Sequence, residues 1–223
     1  MQAAIHVPNS PTLKIVNDFE IPKPGPKQVL LKVQASGVCH SDRYSVLSLG
    51  GCVRCLARQA GIKLTPSEPA EQEFLSLPFF GLGANGGHAE FAVADEHALV
   101  PVPDNVLPEH AAVMADAGIT AWHAIKKTAN IKKGERVLIT GIGGLGLLAV
   151  QFAVFLGADV FAVDMRLSSR ELALKFGARQ AFDLVELDTA LAKGFQVDCA
   201  VDFVSSDTTF RVYRPPELTI VQK

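Results

Sequence analysis

The sequence predicts an α/β protein in two parts, a β-rich first part followed by a doubly wound parallel sheet. Eleven of the thirteen prolines lie at or before Pro108, and the other two are Pro215 and Pro216, so composition changes near the middle of the chain. Before that point short apolar runs, Gln28 to Val33 and His88 to Val93, alternate with Pro and Gly clusters such as Pro22 to Pro26, the pattern of strands joined by turns. After it, apolar segments of strand and helix length take turns, and repeated βα units imply a parallel sheet with helices on both faces.

Taken in order, Pro66 to Pro78 has neither a strand nor a helix period and is punctuated by Pro66, Pro69 and Pro78, which predicts a long loop or a disordered insertion. Pro108 to Lys127 has helical composition, with Gly118 as a candidate interruption, and joins the two parts. Arg136 to Thr140 predicts a strand, Leu145 to Leu156 a helix closed by Gly157, and Asp159 to Asp164 a second strand. Ser168 to Phe176 predicts an amphipathic helix capped by Ser168 or Ser169, Val197 to Val204 a buried strand, and Leu218 to Val221 the start of a fifth.

The chain has 223 residues, 48% of them hydrophobic, with 21 Lys and Arg against 23 Asp and Glu, enough apolar content for a packed core. A net charge of -2 offers no electrostatic reason to expect nucleic acid or an anionic membrane as partner. The start MQAAIHVPNS lacks the basic and apolar regions of a secretory signal, which points to a cytoplasmic protein. The apolar stretch from Leu145 to Val163 is broken by Gln151, Gly157 and Asp159, so no membrane span is expected. Four cysteines without a secretory signal argue for reduced thiols, to be read as metal ligands or core packing.

Between the first predicted strand of the second part and its helix lie Gly141, Gly143, Gly144, Leu145 and Gly146, at G-x-G-x-x-G spacing. Glycines there permit a tight turn and let backbone N–H groups at the helix start approach a pyrophosphate. Asp164 ends the next strand, where a carboxylate accepts from a ribose 2'-OH and repels a 2'-phosphate, favouring NAD; Arg166 keeps the NADP alternative open.

Upstream, Gly37-Val38-Cys39-His40-Ser41-Asp42 combines a thiolate candidate, a hydroxyl and a carboxylate within four positions. Together with KPGPKQVLLKVQASGVCHSD, GGHAEFAVADEHALVPVPDNV, MADAGITAWHAI, VLITGIGGLGLLAVQFA and VDCAVDFV, it resembles the zinc-dependent medium-chain alcohol dehydrogenases along most of the chain. The resemblance implies a GroES-like catalytic domain over residues 1–117 and a Rossmann NAD-binding domain over 118–223. It implies an oxidoreductase moving a hydride between a small alcohol or aldehyde and NAD, with zinc as Lewis acid. Cys39 matches a catalytic zinc ligand and Asp116 the place of a further ligand, commonly Cys. Ser41 matches a proton-relay hydroxyl, Tyr44 a continuation of that relay, and Asp42 a carboxylate that orients a zinc-bound His. His40 matches a position near the cofactor phosphates and Thr120 one near the nicotinamide.

Departures from the family pattern are equally specific. No Gly-His-Glu block, the family's source of a second zinc ligand, occurs anywhere; Tyr44 to Gly50 runs directly into Gly51-Cys52-Val53-Arg54-Cys55. His88 and His97 belong to blocks that the resemblance places away from the metal, and read as ordinary histidines. Cys52 and Cys55 resemble the middle of a four-cysteine structural-zinc lobe whose outer positions are Leu49 and Lys63, and two thiolates cannot close a tetrahedral site, so no structural zinc is expected. Cys199 reads as core packing. The chain also stops soon after Arg214, short of the family's later βα units, which predicts an exposed strand edge and association into homo-oligomers, with a partner, or by aggregation. An alternative follows: an inactive family remnant that binds nucleotide or a homologous partner only.

Overall fold

The computed structural model describes residues 1–5, 7, 12–38, 80, 85–212 and 219–222, and the chain falls into two compact units, Met1–Val113 and Met114–Lys223. In the first unit β1 (Ala3–Ile5) pairs antiparallel with β2 (Lys14–Val16), and β3 (Gln28–Lys32) pairs antiparallel with β4 (Phe91–Asp95), setting Leu30 opposite Val93. Exposure alternates along β3: Val29 and Leu31 are half-buried, whereas Gln28, Leu30 and Lys32 are exposed. This is the period of two expected of a strand with one covered face. The turn before it is closed by the Gln28 side chain, whose Oε1 accepts from the Gly25 N–H at 2.9 Å. A single helical turn at Glu96–Ala98 is started by Asp95, which accepts from the His97 N–H. Pro108 opens α1 (Pro108–Val113), where its missing N–H costs nothing.

The second unit begins with helical turns. Met114–Gly118 and His123–Thr128 have the wider i→i+5 pattern and flank α2 (Ile119–Trp122). Gly118 does not interrupt the helix: its backbone stays helical at φ -63° and ψ -51°. Here the hydrogen-bond ladder changes register instead, as with Ala129 N–H donating to the Ala124 carbonyl at 2.8 Å.

A five-stranded sheet follows: β5 (Arg136–Thr140), β6 (Asp159–Val163), β7 (Gln180–Phe182), β8 (Cys199–Asp202) and β9 (Thr219–Gln222), all parallel, in the order β7-β6-β5-β8-β9. The chain lays down β5, β6 and β7 in one direction and returns to place β8 on the other side of β5. The order therefore reverses between β5 and β8, and the crevice at their carboxyl ends is where such sheets bind ligands.

Alternate residues of each strand feed opposite faces. Val137 and Ile139, Val160 and Ala162, and Cys199 and Val201 pack with Ala149, Val150 and Ala153 of α3 (Gly144–Phe155) and with Ala173 of α4 (Leu167–Lys175). Leu138, Phe161, Val163 and Ala200 pack on the other face with Phe182 and with Leu187 of α5 (Leu184–Ala192). Strands covered on both faces have apolar residues at every position, which is why β5 and β6 read as continuous apolar runs.

Three differences from the sequence expectation have local causes. The helix predicted from Ser168 starts at Leu167, and neither Ser168 nor Ser169 caps it: Arg166 takes the cap position without a side-chain cap bond, and Ser169 is buried. Residues 180–192, unassigned by the apolar pattern, form β7 and α5. Asp183 opens α5 with a capping box, accepting from the Glu186 N–H at 2.9 Å while its own N–H donates to Glu186 Oε2 at 2.8 Å. The predicted strand Val197 to Val204 is shortened to four residues because Phe203 and Val204 turn toward the neighbouring loop, as described below. The expected insertion at Pro66 to Pro78 lies outside the described residues.

Candidate dinucleotide site

Thr140 ends β5 in register with Asp202 at the end of β8, and the glycine loop starts at the next residue. Gly141 has φ +83°, a left-handed backbone that glycine adopts freely, and a Cβ there would come within 2.6 Å of Val204 Cγ2. Its N–H donates to the Val163 carbonyl at 2.8 Å, carrying the ladder into the turn. Gly146 is the tightest position: a Cβ on it would run into the Gly141 carbonyl oxygen, so only glycine lets α3 start this close to the loop. Gly143 and Gly144 differ, because a Cβ on either would meet nothing within 4 Å. Gly143 is the cap residue of α3 and, being glycine, has no side chain to bond the free N–H groups of the first turn. Leu145 is half-buried beside them. Two glycines thus shape the turn, and two leave the positive end of a helix open on one side, the arrangement that receives an anionic pyrophosphate.

Asp164 follows β6 and reaches back to this loop. Its Oδ2 accepts from the Ile142 N–H at 2.8 Å and from Arg166 Nη2 at 3.3 Å, and its Oδ1 accepts from the Arg166 N–H at 2.8 Å and Arg166 Nε at 3.2 Å. Burial would raise the pKa of this carboxyl; hydrogen bonds from the Arg166 side chain and backbone and from the Ile142 N–H, with the guanidinium charge, outweigh it and hold the group below its ordinary 3.8. Arg166 Nη2 also lies 3.4 Å from the Ile142 carbonyl, so the guanidinium spans strand end and loop. Arg170 fastens the same corner by donating to the Asp164 and Met165 carbonyls.

On the β8 side a buried network was not evident from sequence. Asp202, 1% exposed, accepts from the Val204 and Ser205 N–H groups at 2.7 and 3.2 Å and from the Thr209 hydroxyl at 2.6 Å. Ser205 has φ +54°, and Thr209 also bonds Ser206, which starts α6 (Asp207–Val212). The network seats Val204 against Gly141. Its sequence signal is an Asp followed, after Phe203 and Val204, by Ser-Ser-Asp-Thr-Thr, a run of turn and cap residues after an apolar strand.

The other sequence-selected residues are scattered or lie beyond view. Thr120 is half-buried in α2, which packs on α3 through Trp122 and Phe152 with ring centroids 5.3 Å apart and planes at 81°. Asp116 is exposed in the Met114–Gly118 turn. Cys39, His40, Ser41, Asp42, Tyr44, Cys52 and Cys55 lie outside the described residues, and among the described residues no three His, Cys, Asp or Glu side chains gather as metal ligands. His97 is exposed beside Glu96. Cys199 is buried in β8, and burial, with the Glu135 and Asp198 charges, pushes its thiol up to about 11. No described helix is long and apolar enough to cross a membrane.

Residues 144–213, from the start of α3 through α6, match the family model of zinc-binding dehydrogenases. A solved acetophenone reductase from Geotrichum candidum, in complex with NAD, is 30% identical with a TM-score of 0.72, the match covering 94% of this chain and 70% of that one. The chain belongs to the zinc-type medium-chain alcohol dehydrogenase family. An NAD-dependent alcohol dehydrogenase from Sulfolobus acidocaldarius is 28% identical over 239 residues, covering 89% of this chain and 69% of the relative. A quinone oxidoreductase from Thermus thermophilus, solved alone and with NADPH, is 25% identical with a TM-score of 0.73, covering 100% of this chain and 80% of that one. The chain spans 53% to 61% of the length of several other curated alcohol dehydrogenases that it matches.

Proposed function

We propose that this chain binds NAD in the crevice between β5 and β8 and moves a hydride between a small alcohol or aldehyde and that cofactor. The observation that carries the reading is the glycine loop, where Gly141 and Gly146 have no room for a side chain while Gly143 and Gly144 face open space at the start of α3. Backbone N–H groups of Gly144, Leu145 and Gly146 would hold the pyrophosphate, Asp164 the ribose, and Thr120 and His40 the nicotinamide end and phosphates. The bound dinucleotide supplies the hydride acceptor or donor. Ser41, continued by Tyr44, is the proposed path for the hydroxyl proton. In this reading residues 1–117 are a GroES-like catalytic domain and 118–223 a Rossmann NAD-binding domain.

The donor set does not complete a catalytic zinc site. Cys39 and Asp116 would supply two ligands where three are needed, and without a Gly-His-Glu block Asp42 has no matching histidine to orient. That shortfall favours a second reading, a family member that binds nucleotide, or a homologous partner, without oxidising alcohols. Zinc per chain, measured on purified protein and on Cys39→Ser together with NAD titration, separates the two. Roughly one zinc, lost in the variant, with NAD bound, supports the alcohol dehydrogenase reading. NAD bound without zinc leaves the binding-only chain, and no NAD binding overturns the dehydrogenase reading and the nucleotide half of the second, leaving only pairing with a homologous partner.

A further inference from the structure

We propose that Asp202 and Thr209 are positioning residues for the dinucleotide crevice: buried at the end of β8, they hold Val204 in the space that Gly141 leaves and so fix the open start of α3 for the cofactor. The proposal rests on the dinucleotide reading above and concerns the side of the loop that faces β8. On the other side, toward β6, the loop is held by hydrogen bonds, from the Gly141 N–H to the Val163 carbonyl and from the Ile142 N–H to Asp164. Toward β8 the ladder reaches the Thr140 carbonyl, which accepts from the Phe203 N–H at 3.0 Å. One residue further on the contact is steric: Val204 Cγ2 occupies the room that a Cβ on Gly141 would need.

Val204 is half-exposed, so its place depends on what holds its backbone. Asp202 Oδ1 accepts from both the Val204 and the Ser205 N–H groups, and Ser205 sits at φ +54°, a left-handed conformation disfavoured for a residue with a Cβ. Asp202 Oδ2 accepts from the Thr209 hydroxyl, and Thr209 Oγ1 accepts in turn from the Ser206 N–H at 3.1 Å. One carboxylate thus ties strand end, strained turn and α6 together. Asp202 and Thr209 are 1% and 4% exposed, too deep to touch a ligand, so any effect on binding has to travel through Val204. Without the Thr209 hydroxyl a buried carboxylate is one donor short, and the turn shifts to find another. Val204 then backs away from Gly141, and the N–H groups that follow have to be ordered by the cofactor as it binds, at a cost in affinity.

The test is equilibrium titration with NAD, beside a melting midpoint, for wild type, Thr209→Val, Thr209→Ser, Val204→Ala, the Val204→Ala and Thr209→Val double variant, and Leu187→Ala. Thr209→Val should weaken NAD roughly tenfold, the scale of one hydrogen bond to a charged group, and Thr209→Ser, which keeps the hydroxyl, should restore the wild-type affinity. Val204→Ala should weaken NAD as well, and the double variant should bind no more weakly than the worse single variant, because Thr209 acts through Val204. Leu187→Ala lowers stability from the opposite face of the sheet and should leave the affinity of the folded protein unchanged. Wild-type affinity in Thr209→Val or Val204→Ala, additive losses in the double variant, or an equal loss in Leu187→Ala overturns the proposal and leaves the dinucleotide reading standing. Should Thr209→Val fold too poorly to titrate, Val204→Ala, a change at a half-exposed side chain, decides by the same criterion. No NAD binding by wild type removes that reading and the proposal together.

Discussion

The two units differ in where their stability resides. Among the described residues of the first unit only Ala3 and Ala92 are buried apolar side chains, and its strands pair two by two with Ile15 60% exposed. The second unit holds the remaining buried apolar residues, arranged on both faces of one five-stranded sheet. The lesson is one of support. A phosphate-binding loop needs backbone N–H groups held at fixed positions, and a sheet packed on both faces holds the ends of β5, β6 and β8 within hydrogen-bonding reach of one another.

The largest expected effect tests that contrast directly. Leu187→Ala removes a fully buried side chain and should cost about 2 to 5 kcal/mol, whereas Ile15→Ala should change stability by less than about 0.5 kcal/mol in denaturant unfolding. Comparable losses at the two sites would dissolve the difference between the units. Next in size, Gly146→Ala forces a Cβ into the Gly141 carbonyl and should cost about 1 to 3 kcal/mol with loss of NAD binding, while Gly143→Ala, with open space around it, should keep most of the stability. Equal unfolding midpoints for these two variants would show that the loop is not held as tightly as its geometry implies.

The smallest effect is electrostatic. Asp164 has its pKa lowered in the folded chain, so its contribution is present above the unfolded value near 3.8 and is lost as pH falls through the lower folded value. Asp164→Asn should therefore be less stable than wild type at neutral pH, and the gap should close as pH drops below about 4. A gap that stays constant with pH would mean that the loop is braced by the backbone bonds alone.

Much of the second unit was legible residue by residue. Arg136 to Thr140 has the bounds of β5, and the helix predicted from Leu145 differs from α3 by one residue at each end. These segments are buried on both faces or bounded by glycines with required backbone angles, so the pattern is set by short-range chemistry. The segment from Gln180 to Ala192 was not legible: β7 has three residues and α5 carries its signal in a capping box rather than in an apolar stripe. The cap at Ser168 failed for a local reason that residue types alone do not show, since the Arg166 N–H donates to Asp164 two residues before it and the chain enters the helix from that bond.

The sequence by itself determined the strand, helix and strand around the glycine loop, the place of that loop and the absence of a Gly-His-Glu block. Those are properties of residue type, periodicity and spacing, which require no partner distant in sequence. Tertiary structure decided which glycines are sterically obligatory, that Val204 closes on Gly141 through the Asp202 network, and that Asp164 faces Arg166 rather than open solvent. The Ile142 N–H reaches Asp164, and Val204 reaches Gly141, only because the parallel sheet brings strand ends together, whereas the bonds of Asp164 with Arg166 and those of Asp202 are made with near neighbours in the chain.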